Sequence, residues 1–307
     1  MLDERSPCGE LAIDVTGLSY SYGNTEALNS IDLRVPRGTV LGLLGVNGSG
    51  KSTLIKLLMG LLRPTCGSVT ILGRKLDREL TAIRKSVGYV SEDRYLYDWM
   101  TVAEMVKFTR AFYDNWNDRK TKSLIEAFRL REDERVKHLS KGDKVRLSMT
   151  LALGHDPDLI VLDEPTSGLD PLVRRDIMEG IVNELGISGQ TVLFSSHHTD
   201  EIERVADHVA IIHQGRLLVS DELDQLKAAH RRIRVDTNTP APDILSIPGV
   251  IAIEHHDREQ VLTVNDWSER MKQLLTKLGI SNPEIIPMSL EEIFIDNVSG
   301  RGRRWSA

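Results

Sequence analysis

The sequence predicts an α/β protein on a mixed sheet, with an antiparallel β region, a helical insert and a small α+β domain towards the C-terminus. Three observations predict it. A glycine-rich turn, Gly45-Val46-Asn47-Gly48-Ser49-Gly50-Lys51-Ser52-Thr53, lies between an apolar run and a helically spaced one. Two further apolar runs, Leu159 to Leu162 and Thr191 to Phe194, each end in polar or charged residues. Beyond about residue 231 the texture shifts to short strands, a helix and a final apolar segment.

Composition bounds what such a chain can be. With 307 residues it is long enough for a sizeable core and two domains. A net charge of −6 argues against non-specific nucleic-acid binding. Cys8 and Cys66 are the only cysteines, which suits a reducing compartment and supplies neither a disulfide framework nor a zinc site. No run approaches the ~18 apolar residues that a membrane-spanning helix needs, and Met1 to Arg5 lack the pattern of a signal peptide. The expected location is cytoplasmic, or on the cytoplasmic face of something else.

In chain order, residues 11 to 37 alternate as antiparallel strands, with Leu11, Ile13 and Val15 followed by Ile31, Leu33 and Val35. Between them Tyr20 and Tyr22 share a face by their spacing of two. Tyr20 reads as sheet packing; for Tyr22, packing and stacking on a base both stay open. Val40 to Leu44 reads as a buried parallel strand. The glycine turn after it fits G-x-x-x-x-G-K-[ST], the phosphate-binding loop, with strand before and helix after. Gly45, Gly48 and Gly50 let the backbone curl around a phosphate, and the helix N-terminus adds a partial positive charge. Lys51 reaches the terminal phosphates and the Ser52 hydroxyl suits Mg²⁺, so the residues point to a bound nucleoside triphosphate.

Residues 68 to 91 read as strand, turn, helix and strand, ending at Ser91-Glu92. From 95 to 139 the chain turns helical and polar. Thr101 to Glu104 forms a capping box, and Met105, Val106 and Phe112 follow on one face. Another helix runs through Leu124, Ile125 and Phe128; Phe112, Tyr113 and Trp116 read as core of this insert. Ser140 is placed as an N-cap with Asp143 as capping-box partner, opening a helix through Leu151. That segment is either a well-capped helix or a second anion site left open by Gly142.

The strand Leu159 to Leu162 runs into Asp163 and Glu164. Carboxylates there are costly unless paired or on a metal, which suits Asp163 as a Mg²⁺ ligand and sets Glu164 beside the attacking water. Ser167 to Pro171 makes a turn, with Asp170 capping the next helix. Thr191 to Ser196 is expected beside the acidic strand, which places His197 for a phosphate contact, whereas His198 reads as structural. Val209 to Val219 reads as a hairpin closing a first domain, and a helix from Leu223 to Ala229 leads out. The expected division is 1–228, with a helical subdomain at about 95–150, and 229–307, with a basic tail from Arg301 to Trp305. The pair His255-His256 has no ligand-spaced partners and reads as surface. The tail is expected to be disordered, contact with an anionic membrane surface being the lesser reading.

Together these motifs resemble the ATP-binding subunit of an ABC transporter over roughly residues 11 to 225. The resemblance implies ATP and Mg²⁺ as ligands. It assigns Gly45 to Thr53 to the phosphates, Tyr22 to adenine, Asp163 and Ser52 to Mg²⁺, Glu164 as general base and His197 as the switch histidine. Ser140 and Gly142 fall in the signature sequence, Asp170 in the dimer-contact loop, and the helical insert matches the subdomain that docks on membrane subunits. Two departures stand out. Glu92 replaces the usual glutamine and adds a third carboxylate to the Mg²⁺ region, and Lys141 and Asp143 replace glycine and glutamine in the signature. The C-terminal part, with Ser289 to Phe294, resembles the extension of exporter-type subunits. The implied function is ATP hydrolysis in a homodimer or heterodimer of cassettes, coupled to export by separate membrane subunits, with the chain peripheral to the membrane and binding no nucleic acid. The alternatives are a soluble ATPase of the same family acting on ribosomes or DNA, and a regulatory module that holds ATP without turnover.

Overall fold

The structure, a computed structural model, describes residues 10–186, 189–236, 248–256, 259–277, 280 and 283–299. Its chain contacts divide it into two units, Met1–Ser220 and Asp221–Ala307.

The first unit begins with β1 (Leu11–Tyr22) and β2 (Thr25–Pro36), which pair antiparallel. Alternate residues Ile13, Val15, Ile31, Leu33 and Val35 are fully buried, as period-two patterning requires. Then come β3 (Val40–Leu44), α1 (Lys51–Leu58), β4 (Cys66–Ile71), β5 (Arg74–Lys75), α2 (Leu76–Lys85) and β6 (Val87–Val90). The helical insert carries α3 (Val102–Arg110) and α4 (Asp118–Ala127), and leads into α5 (Lys141–Leu153). It is followed by β7 (Leu159–Leu162), α6 (Pro171–Gly186), β8 (Thr191–Ser196), α7 (Thr199–Val205), β9 (His208–His213) and β10 (Arg216–Glu222).

One sheet has the order β2-β1-β4-β5, and the other β10-β9-β3-β8-β7-β6. In the second, β3 lies parallel between β8 and β9, and β7 lies parallel between β6 and β8. Every residue of β7 and β8 is buried, because parallel strands are covered on both faces. The two-residue turn Gln214-Gly215 has φ values of 46° and 72°, which matches the strand twist of the β9–β10 hairpin. Leu54, Ile55, Leu57 and Leu58 of α1 join Leu18, Leu28 and Ile31 in one apolar cluster. Each such side chain stabilises the fold by about 1.5–3 kcal/mol relative to exposure.

Sequence and structure part company in the insert. Residues 95–101 form no regular helix, and α3 starts only at Val102 behind the expected Thr101–Glu104 capping box. Met105 is buried, but Phe112 lies past the end of α3 and is 62% exposed. The helical period on which its burial was inferred has stopped by then. Tyr113 and Trp116 are half-buried. At α5, Ser140 caps the helix by accepting from the Asp143 N–H, yet the reciprocal bond of a capping box is missing. Asp143 instead takes the Ser140 hydroxyl at 2.6 Å and Arg146 Nη1 at 2.9 Å. An aspartate is one methylene shorter than the glutamate this motif prefers, and Arg146 holds its other oxygen.

The second unit contains α8 (Leu223–Ala229), β11 (Arg231–Asp236), β12 (Val250–His256), β13 (Glu259–Val264), α9 (Glu269–Lys277), β14 (Glu284–Pro287) and α10 (Leu290–Val298). Its sheet has the order β12-β13-β11-β14, over a core that includes Ile233, Leu262, Val264 and Leu275. Edge strand β14 escaped the sequence reading; it is four residues long and bounded by Pro283 and Pro287. Ser289 and Glu292 form a reciprocal capping box on α10. The Arg301–Trp305 tail and the side chains of His255 and His256 lie outside the described residues.

Candidate functional site

The glycine loop joins the end of β3 to the start of α1. Gly50 has φ 112° and supplies no side-chain cap, and no acid occupies the first turn of α1, so the helix opens onto the loop. A Cβ on Gly45 would meet the Ile212 carbonyl and Ser49 Oγ at 2.5 Å, so only glycine allows the chain to turn so close to β9. Ser49 Oγ is buried without a hydrogen-bond partner, which leaves a polar oxygen inside the loop.

Around the loop, parallel pairing of β3 with β8 and of β8 with β7 brings three carboxyl ends together. Lys51 Nζ donates to the Gly45 carbonyl at 2.7 Å and stands 3.0 Å from Glu164 Oε1. The other Glu164 oxygen lies 2.9 Å from His197 Nδ1. Asp163 Oδ1 accepts from Ser52 Oγ at 3.1 Å and from Ser195 Oγ at 2.9 Å. Burial raises the Asp163 carboxyl above its ordinary value and nearby Glu92 and Glu164 push the same way, against the two hydroxyl bonds. A buried carboxylate with acidic neighbours and no Lys or Arg paired to it among the described residues fits a divalent cation. No three His, Cys, Asp or Glu side chains converge as a metal cage among the described residues. Such a site suits Mg²⁺, which takes one or two protein ligands and completes its shell with phosphates and water.

The cleft over the loop holds about 670 Å³ and is lined by Tyr22, Asn47, Lys51, Ser52, Glu164 and His197 among others. Tyr22 is 48% exposed at its rim, its ring edge-on to that of Tyr20, which packs against the core. Glu92 also lines the cleft, but its carboxylate accepts from Ser167 Oγ at 3.3 Å rather than from Ser52. Asp170 caps α6 through the N–H groups of Leu172 and Val173. Ser140 and Gly142 are absent from the lining; Ser140 is exposed and Gly142 is buried against Val173 of α6. Of the residues inferred from the sequence, the cleft gathers Tyr22, Asn47, Gly48, Gly50 to Thr53, Glu92, Glu164 and His197, while Asp163 lies behind it, bonded to Ser52.

Comparison with known proteins identifies the family. Residues 28–167 match the ABC transporter family, and residues 222–298 match the C-terminal domain of DrrA1-3-like ATP-binding proteins. The Nod factor export ATP-binding protein I of Rhizobium sp. (strain N33) is 34% identical over 303 residues, 95% of this chain and 98% of that protein. The chain belongs to the ABC transporter ATP-binding family. A second relative, named Probable multidrug ABC transporter ATP-binding protein YbhF of Escherichia coli, is 36% identical over 72% of the chain, which spans only 39% of that protein's length. A solved ATP-binding subunit of an ABC transporter superposes with a TM-score of 0.65 at 32% identity, over 71% of this chain and 92% of that one. The chain is thus an ATP-binding subunit, and this cleft is its candidate nucleotide site. No described helix is long and apolar enough to cross a membrane.

Sequence reading missed a second tier of polar residues behind the site. Ser195 accepts from the Glu164 N–H at 2.9 Å while donating to Asp163, and so ties both acids to β8. Ser196 Oγ and Thr166 Oγ1 donate to the buried carboxylate of Glu201, at 2.6 and 2.8 Å. The only signal was the doublet Ser195-Ser196 just before His197, where alternation sends one hydroxyl to each face of the strand.

Proposed function

We propose that this chain is the ATP-hydrolysing subunit of an exporter, acting in a dimer of cassettes on the cytoplasmic face of a membrane beside separate membrane subunits. The observation that carries this reading is the incomplete cleft. Asn47, Gly48, Gly50 to Thr53, Tyr22, Glu164 and His197 line one cleft, whereas Ser140 and Gly142 lie outside that lining and need a second cassette to meet a phosphate. The names of the relatives, Nod factor export and multidrug transport, support export as the direction. They lend nothing to an ATPase acting on ribosomes or DNA, or to a regulatory module.

Lys51 Nζ stands 3.0 Å from Glu164 Oε1. A triphosphate entering the loop takes over the Lys51 ammonium, so the Glu164 carboxylate loses its cation just as the substrate arrives. His197 then keeps Glu164 oriented through the 2.9 Å contact. Water attacks the terminal phosphorus, its proton passes to Glu164, and the bond to the ADP oxygen breaks, a general-base step worth about 10²–10⁴-fold. Ser52 and Asp163 would hold Mg²⁺, with Glu92 at the margin; the ion supplies charge neutralisation on the phosphate oxygens. Tyr22 stacks on the base, and Asp170 keeps α6 in place for the dimer contact.

A groove of about 990 Å³ runs from Ser52 and Asp163 past Tyr95, Tyr97, Phe108 and Phe112. Exposed aromatic side chains at that density mark a partner surface, and the membrane subunit is the partner this reading assigns. In Glu164→Gln, ATP binding is retained, turnover falls by about 10²–10⁴-fold and an ATP-bound dimer accumulates. Wild-type turnover in that variant would remove Glu164 from the chemistry.

A further inference from the structure

Behind the cleft, Glu201 of α7 keeps only 3% of its side chain in water. Its two carboxylate oxygens go to different stretches of the chain. Oε1 accepts from Thr166 Oγ1 at 2.8 Å, in the turn that follows Glu164. Oε2 accepts from Ser196 Oγ at 2.6 Å, at the strand end directly before His197. Ser196 Oγ in turn accepts from the His198 N–H at 3.0 Å, so the chain is held on both sides of His197. Arg174 Nε of α6 stands 3.4 Å from Oε1 and offsets the buried charge. None of Glu201, Thr166, Ser196 and Arg174 lines the cleft.

A carboxylate is a costly way to fill buried space, since an apolar side chain would do so without desolvating a charge. What it adds is a pair of acceptor oxygens in one rigid plane. Here one oxygen holds the turn after Glu164 and the other holds the end of β8, and the side chains of Glu164 and His197 meet between them at 2.9 Å. Glu164 has φ 46°, a left-handed backbone that a residue other than glycine keeps only where its surroundings over-determine it. The Ser167 N–H closes that turn on the Glu164 carbonyl at 3.1 Å, and the Thr166 bond anchors it to α7.

We propose that Glu201 is a positioning residue for hydrolysis: its carboxylate clamps the turn after Glu164 to the strand end before His197, and so sets where the base stands against the histidine. The proposal rests on Glu164 and His197 acting in the roles assigned above.

The test uses the full chain with Glu201→Gln, Thr166→Val and Ser196→Ala, and kcat is measured well below each variant's melting temperature. Glutamine keeps the size of glutamate but has one acceptor oxygen, so one of the two hydroxyls loses its acceptor. Glu201→Gln is expected to lower kcat by about tenfold or more, because a displacement near 1 Å at a reacting group has effects up to about 10²-fold. Its KM and ATP affinity stay within error of wild type, since no part of the clamp lines the cleft. Thr166→Val and Ser196→Ala each cut one arm and lower kcat in the same way; they carry the test should Glu201→Gln fail to fold. Either one combined with Glu201→Gln costs less than the product of the separate losses, because both act through one carboxylate. The NMR signals of the His197 ring, assigned by difference from His197→Ala, move in the clamp variants while those of His155 stay in place.

A wild-type kcat in Glu201→Gln, or in both single-arm variants where those carry the test, overturns the proposal, and a lowered melting temperature beside it marks a structural brace only. So do fully multiplicative losses, unmoved His197 signals, or a fall in ATP affinity that matches the fall in kcat. A wild type that binds ATP and never hydrolyses it sinks the functional reading instead, and this proposal with it.

Discussion

At the carboxyl ends of β3, β7 and β8, Lys51, Asp163 and Glu164 are all 5% exposed or less. On the C-terminal sheet, Arg234 bridges Glu284 at 2.8 Å and Glu259 at 3.4 Å, with 43% of its own side chain and more than half of each partner's in water. The charges at the strand ends sit in an environment that penalises them, and the protein's own contacts only partly offset this. Asp163 keeps hydroxyl bonds alone, and Lys51 is shared between Glu164 and two loop carbonyls. The charges on the sheet rest in water and ask nothing of a ligand. Buried charge short of partners is thus the mark that separates the ATP site from the scaffold.

The largest effect is expected from replacing Asp163. Burial, with Glu92 and Glu164 nearby, raises its carboxyl, so the fold favours the neutral form and the ionised form weighs against stability at neutral pH. Asp163→Asn should therefore abolish turnover and yet raise the melting temperature of the nucleotide-free protein, by roughly 2–4 °C for each kcal/mol gained. A lower melting temperature in scanning calorimetry would show that Asp163 is structural.

His155 is a buried titratable group outside the cleft. It stacks on Tyr113 at 4.0 Å between ring centroids, and burial lowers its pKa from 6.5 to about 4. Between those values the unfolded chain takes up a proton that the folded chain refuses, so stability rises with pH across the window and is lost as pH falls through it. The loss is on the order of 3 kcal/mol. Urea midpoints at pH 7 and pH 4 should record it, and His155→Phe, which keeps the ring stack, should flatten that part of the profile. The smallest effect belongs to the sheet: Arg234→Ala should change stability by no more than about 1 kcal/mol and leave ATP turnover untouched.

What was legible in the sequence follows from the range of the forces involved. The glycine loop could be read because its glycine, lysine and hydroxyl positions fall within nine residues between β3 and α1. The buried strands were legible because their apolar runs stop abruptly at Asp163 and His197. Asp170 and Thr101 were legible as caps because a cap is a local bond. Phe112 was misread because periodicity was carried beyond the point where α3 ends. The Asp143 box failed because side-chain length and a competing Arg146 decide it, and neither shows in a spacing rule. Ser195 was missed because its partners Glu164 and Asp163 lie 31 and 32 residues away in the chain.

The claim on which the functional account stands is that one polypeptide carries half of each catalytic pocket. The most direct measurement is ATP turnover per chain against protein concentration, with molecular mass followed by sedimentation in the same samples. The account predicts that turnover per chain climbs with concentration in step with the dimer fraction, and that Ser140→Arg, distant from the cleft of its own chain, flattens the rise. Full turnover by a chain that sediments as a monomer at every concentration would contradict it.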